Sequence, residues 1–282
     1  MRACRELGIQ SVVVYSEADA HSLPVHSADE AICIGPANSR DSYLNIPAII
    51  SAALISGAQA IHPGYGFLSE NADFSEVCKE HGLVFIGPPP EVLARFHDKS
   101  ATRAAMKRAG LPVIPGSDGP VKTSSEALRI AESIGYPVML KARAGGGGRG
   151  MRKAESARDL QRLWEQARSE AKASFGDDGL YLERNLEGVR HIEAQILVDD
   201  RGEGICIGER ECSIQRRNQK MLEEAPSISI NEELRRRIKR YAVDAAKRFG
   251  YRGVGTFEFL VDAAGQPYFI EVNARIQVEH TV

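Results

Sequence analysis

The sequence predicts an α/β fold, with a parallel-sheet N-terminal domain over residues 1–97 and a second domain over 98–282 carrying a glycine-rich lid at about 114–185. Three observations predict it. Strands and helices alternate through the first ninety residues, a break follows at Pro88-Pro89-Pro90, and a glycine run interrupts a compact β/α segment beyond it. Alternation of this kind places helices on the faces of a parallel sheet.

Residues 1–7 read as the end of a helix closed by Gly8, with a strand at 11–15. Further strand-like runs lie at 31–34, 59–61 and 83–86, and helical stretches at 43–55 and 71–81. Ligand-facing loops follow the carboxyl ends of strands in such sheets, and His62-Pro63-Gly64-Tyr65-Gly66-Phe67 has that position. A helix then runs through Asp98, Lys99 and Lys107 to Gly110, before a linker marked by Pro112, Pro115, Gly116 and Gly119-Pro120. Helix 125–134, strand 137–142, the glycine run, helix 157–173 and strand 180–184 form the compact segment. Strands at 191–198 and 204–208, a basic loop, helix 232–249 and two closing strands complete the chain. The helix stub at the start and the uncapped polar run at 279–282 lead us to expect that both ends are cuts.

At 282 residues there is room for two domains. A content of 43% hydrophobic and 26% charged residues excludes disorder as the main state. The formal charge of −2 supplies no basic field for nucleic acid. No apolar run approaches the ~20 residues of a membrane span, and no signal peptide opens the chain. Cys4, Cys33, Cys78, Cys206 and Cys212 are odd in number and lack CxxC spacing, so we expect buried reduced thiols in an intracellular protein and no zinc site.

Four motifs carry chemistry. Lys141-Ala142-Arg143 leads from a strand into five glycines within residues 145–150. Glycines let backbone amides approach a phosphate closely, so this run reads as a lid over nucleotide phosphates; a bare hairpin tip is the alternative. Next, a turn at Ala263-Ala264-Gly265-Gln266 would set Glu258 across from Glu271 and Thr256 across from Asn273. Carboxylates opposed at about 5 Å repel unless a cation lies between them, and oxygen-only ligands suit Mg²⁺; a solvated face is the alternative. Third, if the chain stays extended past Glu271, then Glu271, Asn273, Arg275, Gln277 and Glu279 share one face and Val272, Ala274, Ile276 and Val278 the other. Guanidinium and amide would hold a small anion, with the last carboxylate available as a base. Fourth, Glu209 to Lys220 reads as a basic loop after a strand, either solvated or an anion site.

These segments together resemble the biotin carboxylase family of the ATP-grasp superfamily. The resemblance covers the whole chain and is carried by His62-Pro63-Gly64-Tyr65-Gly66-Phe67-Leu68-Ser69-Glu70-Asn71, the glycine run ending at Met151, Glu211-Cys212-Ser213-Ile214-Gln215-Arg216-Arg217, Phe269-Ile270-Glu271-Val272-Asn273 and Arg275-Ile276-Gln277-Val278-Glu279-His280. Single motifs recur by chance; five in family order do not.

The resemblance implies that Lys99 and Lys141 contact ATP phosphates under a lid containing Gly147 and Gly148. It implies that Glu183, Arg184, Asn185 and Leu186 line the adenine pocket, with His191, Gln215 and Asn218 near ribose and base. Glu258, Glu271 and Asn273 would hold Mg²⁺ or Mn²⁺; Lys220, Arg275, Gln277 and Val278 would bind bicarbonate, and Glu279 would deprotonate it. Lys220, Arg275 and Glu279 would thus be catalytic. The implied reaction is ATP-dependent carboxylation of biotin on a carrier protein through carboxyphosphate, the first half-reaction of acetyl-CoA carboxylase. Implied partners are a biotin carboxyl carrier protein or domain, a carboxyltransferase and, at full length, a second copy of the chain. The implied location is the cytoplasm, a plastid or the mitochondrial matrix. Arg184 and Asn218 depart from the lysine and histidine expected there, and the family's first strand and C-terminal region have no counterpart. Remaining alternatives are the biotin carboxylase part of a pyruvate, acyl-CoA or urea carboxylase, a carbamoyl-phosphate synthase, and a nucleotide-binding fragment without turnover.

Overall fold

Asparagine and aspartate side chains start several of the helices, by accepting orphan amide protons that the first turn cannot pair internally. Asn45 caps one at Ala48, Asn71 at Phe74, and Asp98 at Ala101. The structure, a computed structural model, describes residues 1–143, 150–216 and 219–282, apart from the side chain of Ser100. The chain divides into compact units at Met1–Ala94 and Arg95–Val282.

The first unit contains α1 (Arg2–Glu6), β1 (Val12–Ser16), α2 (Leu23–Ser27), β2 (Glu30–Gly35), α3 (Ile46–Ile55), β3 (Ala60–Ile61), α4 (Ala72–Glu80) and β4 (Val84–Phe85). Its strands pair in parallel, β1 with β2 and β3 with β4, as the alternation requires. Ile50, Ala53, Leu68, Phe74, Cys78 and Leu83 form its core. Helix α3 starts later than the expected residue 43, because Asn45 caps it and a 3-10 turn at Ser39–Asp41 precedes it. Helix α5 (Pro90–His97) spans the division.

The second unit opens with α6 (Lys99–Arg108). Next comes α7 (Ser124–Ile134), then an antiparallel sheet in the order β6 (Met151–Ala154), β5 (Val138–Ala142), β7 (Leu180–Arg184), with α8 (Ala157–Phe175) between β6 and β7 in sequence. Val138, Leu140, Leu160, Trp164 and Leu182 are buried between these helices and the sheet. Strand β6 is an addition to the sequence reading: Arg152 and Lys153 at its centre are exposed, so it has the polar look of a loop. The proline-marked linker is tied down, since Val113 bridges to Phe269, Gly116 to Glu183 and Val121 to Leu180.

Five antiparallel strands follow in the order β10 (Gln219–Glu224), β9 (Gly204–Arg216), β8 (Arg190–Val198), β11 (Gly253–Val261), β12 (Pro267–Asn273). Helix α9 (Glu232–Arg248) packs on β8 and β9 through Leu234, Ile238, Ala242 and Ala245. Phe96, Tyr251, Phe257, Phe259 and Phe269 join through edge-to-face and tilted ring contacts in the same unit. The stretch expected as a basic loop from Glu209 is instead the second half of β9 and the start of β10. Glu211, Ser213 and Gln215 alternate with Cys212 and Ile214, a strand period that the concentration of charge around them obscures. Of the cysteines, only Cys78 and Cys212 are buried; Cys33 is exposed. Among the described residues no helix is long and apolar enough to cross a membrane.

Glu211 anchors the return from β10 to α9. Only 4% exposed, its carboxylate accepts hydrogen bonds from Ser213 at 2.9 Å, Ser227 at 2.7 Å and Ser229 at 2.5 Å. Burial alone would raise its pKa; the three hydroxyls and Arg190 outweigh that and hold it below the ordinary carboxylate value. A depressed folded-state pKa contributes stability above the unfolded pKa, and that contribution is lost as pH falls through the folded one. Glu211→Gln should therefore lower stability by about 1–3 kcal/mol at neutral pH. Thermal melts from pH 7 to below pH 4 should converge with the parent as acid is added; parallel curves would contradict the assignment.

Candidate active site

The pairing of the five-stranded sheet fixes a row of charge. Arg210 on β9 pairs with Glu193 on β8, Glu193 with Glu258 on β11, and Glu258 with Glu271 on β12. Along β8 the odd residues His191, Glu193 and Gln195 share this polar face, while Ile192, Ala194 and Ile196 turn to the other. Asn273 lies across from Thr256, and Thr256 across from Gln195. The opposition of Glu258 and Glu271 expected from the hairpin is present, but it is reached differently. The turn closes at Val261 and Pro267, Phe259 pairs with Phe269, and a bulge at Ile270 then brings Glu271 opposite Glu258. Phe269 joins the aromatic cluster and Glu271 the polar face, although two residues apart they would share a face in a regular strand.

Three carboxylates in a row are unfavourable without counter-charge. Side-chain ammonium groups supply it. Lys220 contacts Glu193 closely, Glu258 at 3.1 Å and Glu279 at 3.5 Å. Lys99 lies 2.5 Å from Glu271. Asn273 donates to Glu258 at 2.6 Å, and Arg275 donates to Asn273 at 3.2 Å. Gln215 donates to Nδ1 of His191 at 2.7 Å, so that nitrogen accepts and Nε2, 2.8 Å from Glu258, carries the proton. Burial works to raise the Glu258 pKa, but His191 and Lys220 outweigh it and hold the group ionised well below its usual range. At Lys99 burial opposes the charge, and Glu271 outweighs it to give a raised pKa. Glu223 is pushed up, first by burial and then by Glu279.

A second group lies at β7. Glu183, 6% exposed, contacts Lys141 closely and Arg103 Nε at 3.3 Å. The backbone amides of Arg184 and Asn185 are held by the Pro115 and Pro137 carbonyls, while the Arg184 side chain is exposed and Leu186 half-buried. Tyr181 on β7 is subject to the charges of Glu183, Lys99 and Glu271, which makes the two groups electrostatic neighbours.

The sequence-expected residues His191, Gln215, Lys220, Glu258, Asn273, Arg275 and Glu279 thus form one side-chain network, the Lys99–Glu271 pair adjoins it by the pairing of Glu271 with Glu258, and Lys141 and Glu183 lie in the other group. Gly147, Gly148 and Asn218 lie outside the described residues. The extended run through Glu279 is a correction. β12 ends at Asn273, and a 3-10 turn covers Val278–Thr281. Gln277 is buried at 3% exposure and Val278 exposed at 63%, the reverse of simple alternation. The cause is Arg210, which draws the Gln277 side chain inward at 2.8 Å, while His280 bonds back to the Gln277 carbonyl. Glu279 still reaches Lys220, through the turn rather than along a strand. The sequence reading passed over Glu193, Arg210 and Arg103; the alternation of His191, Glu193 and Gln195 between apolar residues was the available signal for the first.

The N-terminal model of biotin carboxylases matches residues 1–93, and that of the carbamoyl-phosphate synthase L chain ATP-binding domain matches residues 98–282. The biotin carboxylase of Nostoc sp. is 55% identical over the whole chain, which covers 63% of that protein. The structure of the biotin carboxylase–beta-gamma-ATP complex from Campylobacter jejuni aligns over the whole chain with a TM-score of 0.94 and 53% identity, the chain covering 63% of it. The biotin carboxylase domain of Hydrogenobacter thermophilus 2-oxoglutarate carboxylase, in complex with MgADP, ADP and bicarbonate, aligns with a TM-score of 0.91 and 52% identity, with 62% of it covered. An antiparallel sheet bearing the carboxylate row, with a helix-covered three-stranded sheet beside it in sequence, defines an ATP-grasp domain. The chain belongs to the biotin carboxylase family, and it spans about 63% of the length of the bacterial relatives it matches.

Lys220 is the counter-charge most exposed to test. Lys220→Met would leave Glu193 and Glu258 opposed across the strands without their shared ammonium. Breaking a buried pair from one side costs about 3–5 kcal/mol. Without the lysine the folded-state carboxylate pKa rises relative to the parent, so the stability lost by the variant grows as pH rises and the carboxylates ionise. The deficit against the parent in thermal melts should accordingly be large at pH 8 and shrink toward pH 5; a pH-independent deficit would refute the pairing.

Proposed function

We propose that this chain is the nucleotide- and bicarbonate-handling part of an enzyme that carboxylates biotin on a carrier protein at the expense of ATP, as in the first half-reaction of acetyl-CoA carboxylase. The observation that carries the reading is the Lys220 ammonium set among Glu193, Glu258 and Glu279, with Arg275 and Gln277 on the same connected network. It puts a carboxylate base next to cationic and amide groups suited to a small anion. The relative complexes with ATP, and with ADP and bicarbonate, favour the same substrates.

In this reading Lys99 and Lys141 bind ATP phosphates beneath the lid, and β7 from Glu183 to Leu186 borders the base, with His191, Gln215 and Asn218 toward the ribose. Glu258, Glu271 and the amide oxygen of Asn273 are an oxygen-only donor set of the kind Mg²⁺ or Mn²⁺ takes, and such an ion would neutralise charge on the nucleotide phosphates. Lys220, Arg275, Gln277 and the Val278 backbone hold bicarbonate. Glu279 accepts its proton, the freed oxygen bonds to the γ-phosphorus, and the bond to ADP breaks, giving carboxyphosphate. Carboxyphosphate then decomposes to CO₂ and phosphate; the ureido nitrogen of biotin gives its proton to that phosphate and bonds to the CO₂ carbon. Catalysis consists of placing and neutralising anions, which a set of lysines, arginine and carboxylates can do without a nucleophilic side chain. The division at 97/98 separates the N-terminal domain from the ATP-grasp domain, with the lid at about 114–185. The carrier, a carboxyltransferase and a second copy of the full-length chain are the proposed partners. Cysteines without disulfides favour the cytoplasm, a plastid or the mitochondrial matrix.

Two substitutions in the full-length protein test the roles. Glu271→Gln should weaken Mg²⁺-dependent ATP turnover more than metal-free nucleotide binding, with partial recovery at high Mg²⁺; an unchanged Mg²⁺ titration would remove Glu271 from the ligand set. Glu279→Gln keeps the shape and loses the base, so bicarbonate-dependent ATP cleavage should fall by about 10²–10⁴-fold while ATP still binds. With oxygen-labelled bicarbonate, one labelled oxygen must appear in phosphate. Its absence in the active parent would exclude carboxyphosphate, and normal transfer in Glu279→Gln would exclude only the base.

A further inference from the structure

Arg210 is the most buried guanidinium of the polar face, at 2% exposure. Its Nη2 donates to Gln277 Oε1 at 2.8 Å, to Glu193 Oε2 at 3.3 Å and toward Thr256 Oγ1 at 3.4 Å; its Nη1 donates to Gln195 Oε1 at 2.9 Å. Gln195 is itself fixed by its amide nitrogen on the Gly255 carbonyl at 3.1 Å. The guanidinium is therefore clamped by two adjacent strands, β8 and β11, and reaches from them to the segment after β12.

The chemistry of a carboxamide makes the Gln277 contact decisive. An amide end can present either an acceptor or a donor, and an anion requires the donor. Arginine has donors only, so it engages the oxygen and leaves Nε2 as the end directed away from it. The Glu193 contact acts in parallel. Glu193 has Arg210 on one oxygen and Lys220 on the other, so one guanidinium fixes the carboxylate that holds the Lys220 ammonium. We infer that Arg210 is a positioning residue for the anion substrate: it sets the amide polarity of Gln277 and the place of Lys220 without touching the anion itself. This rests on the proposed bicarbonate site and deepens it.

The test is steady-state kinetics of the full-length protein. Arg210→Lys keeps the buried charge, but a single ammonium cannot replace the planar fork. The KM for bicarbonate should rise roughly 10-fold or more, the loss expected for hydrogen bonds to a charged group, while the KM for ATP stays within about 2-fold. Combining Arg210→Lys with Gln277→Leu should raise the bicarbonate KM by clearly less than the product of the two single effects, because one of the two routes from Arg210 runs through that amide. If Arg210→Lys does not fold, Gln195→Leu removes the acceptor at Nη1 with the charge kept, and the bicarbonate KM must again rise selectively. Equal changes in both KM values, or full additivity with Gln277→Leu, would reduce Arg210 to a structural residue and overturn the inference. A parent protein without bicarbonate-dependent ATP cleavage would instead overturn the functional reading, and this one with it; a working parent with an unchanged bicarbonate KM in the variants overturns this one alone.

Discussion

Everything in the second unit turns on three glutamates being paired side by side across neighbouring strands. Glu193, Glu258 and Glu271 occupy one rung of an antiparallel ladder, where like charges repel and where water does not reach two of them. Such a rung is stable only if cations are brought to it from elsewhere in the chain. Arg210 comes along the rung itself, Lys220 from the next hairpin and Lys99 from the start of α6. The pairing thus couples local strand geometry to long-range closure: α6 and β10 are held to the sheet by charge as well as by apolar contact. The same ammonium groups that neutralise the rung are the ones proposed to receive phosphate and bicarbonate.

Much of this was legible in the sequence, because hairpins convert sequence distance into spatial opposition. The turn at residues 263–266 pointed to Glu258 opposite Glu271 and Thr256 opposite Asn273, pairings that the structure reaches only with the bulge at Ile270. The alternation of the first ninety residues similarly specified parallel pairing. Less legible were features that depend on non-local partners. Strand β8 meets β11 across more than fifty intervening residues, so the position of Glu193 beside Glu258 has no local signature. Arg210 stood within a charged stretch that read as a loop, either solvated or an anion site, whereas its three acceptors on β8 and β11 bury it in a strand. Strict alternation past Asn273 failed for the same reason: a contact from β9 outweighed the period of the chain.

The smaller sheet presents a parallel case. Glu183 on β7 is held by Arg103 from α6 and Lys141 from β5, again one carboxylate joining elements distant in sequence. The glycine at position 116 allows the linker backbone to approach β7 closely, since a side chain there would meet the Leu182 carbonyl at 2.3 Å. The linker is thereby joined to the smaller sheet at Leu180 and Glu183 and to the main sheet at Phe269.

The bulge at Ile270 acts as a phase shifter between the two faces of β12. On its turn-proximal side the strand is in step with the aromatic core, through Phe269; beyond it the strand is in step with the carboxylate rung, through Glu271. Core packing and site geometry therefore impose separate registers on one strand, and a single unpaired residue reconciles them. Were Ile270 paired in a regular ladder instead, it would stand opposite Glu258 and the third glutamate would turn into the aromatic layer.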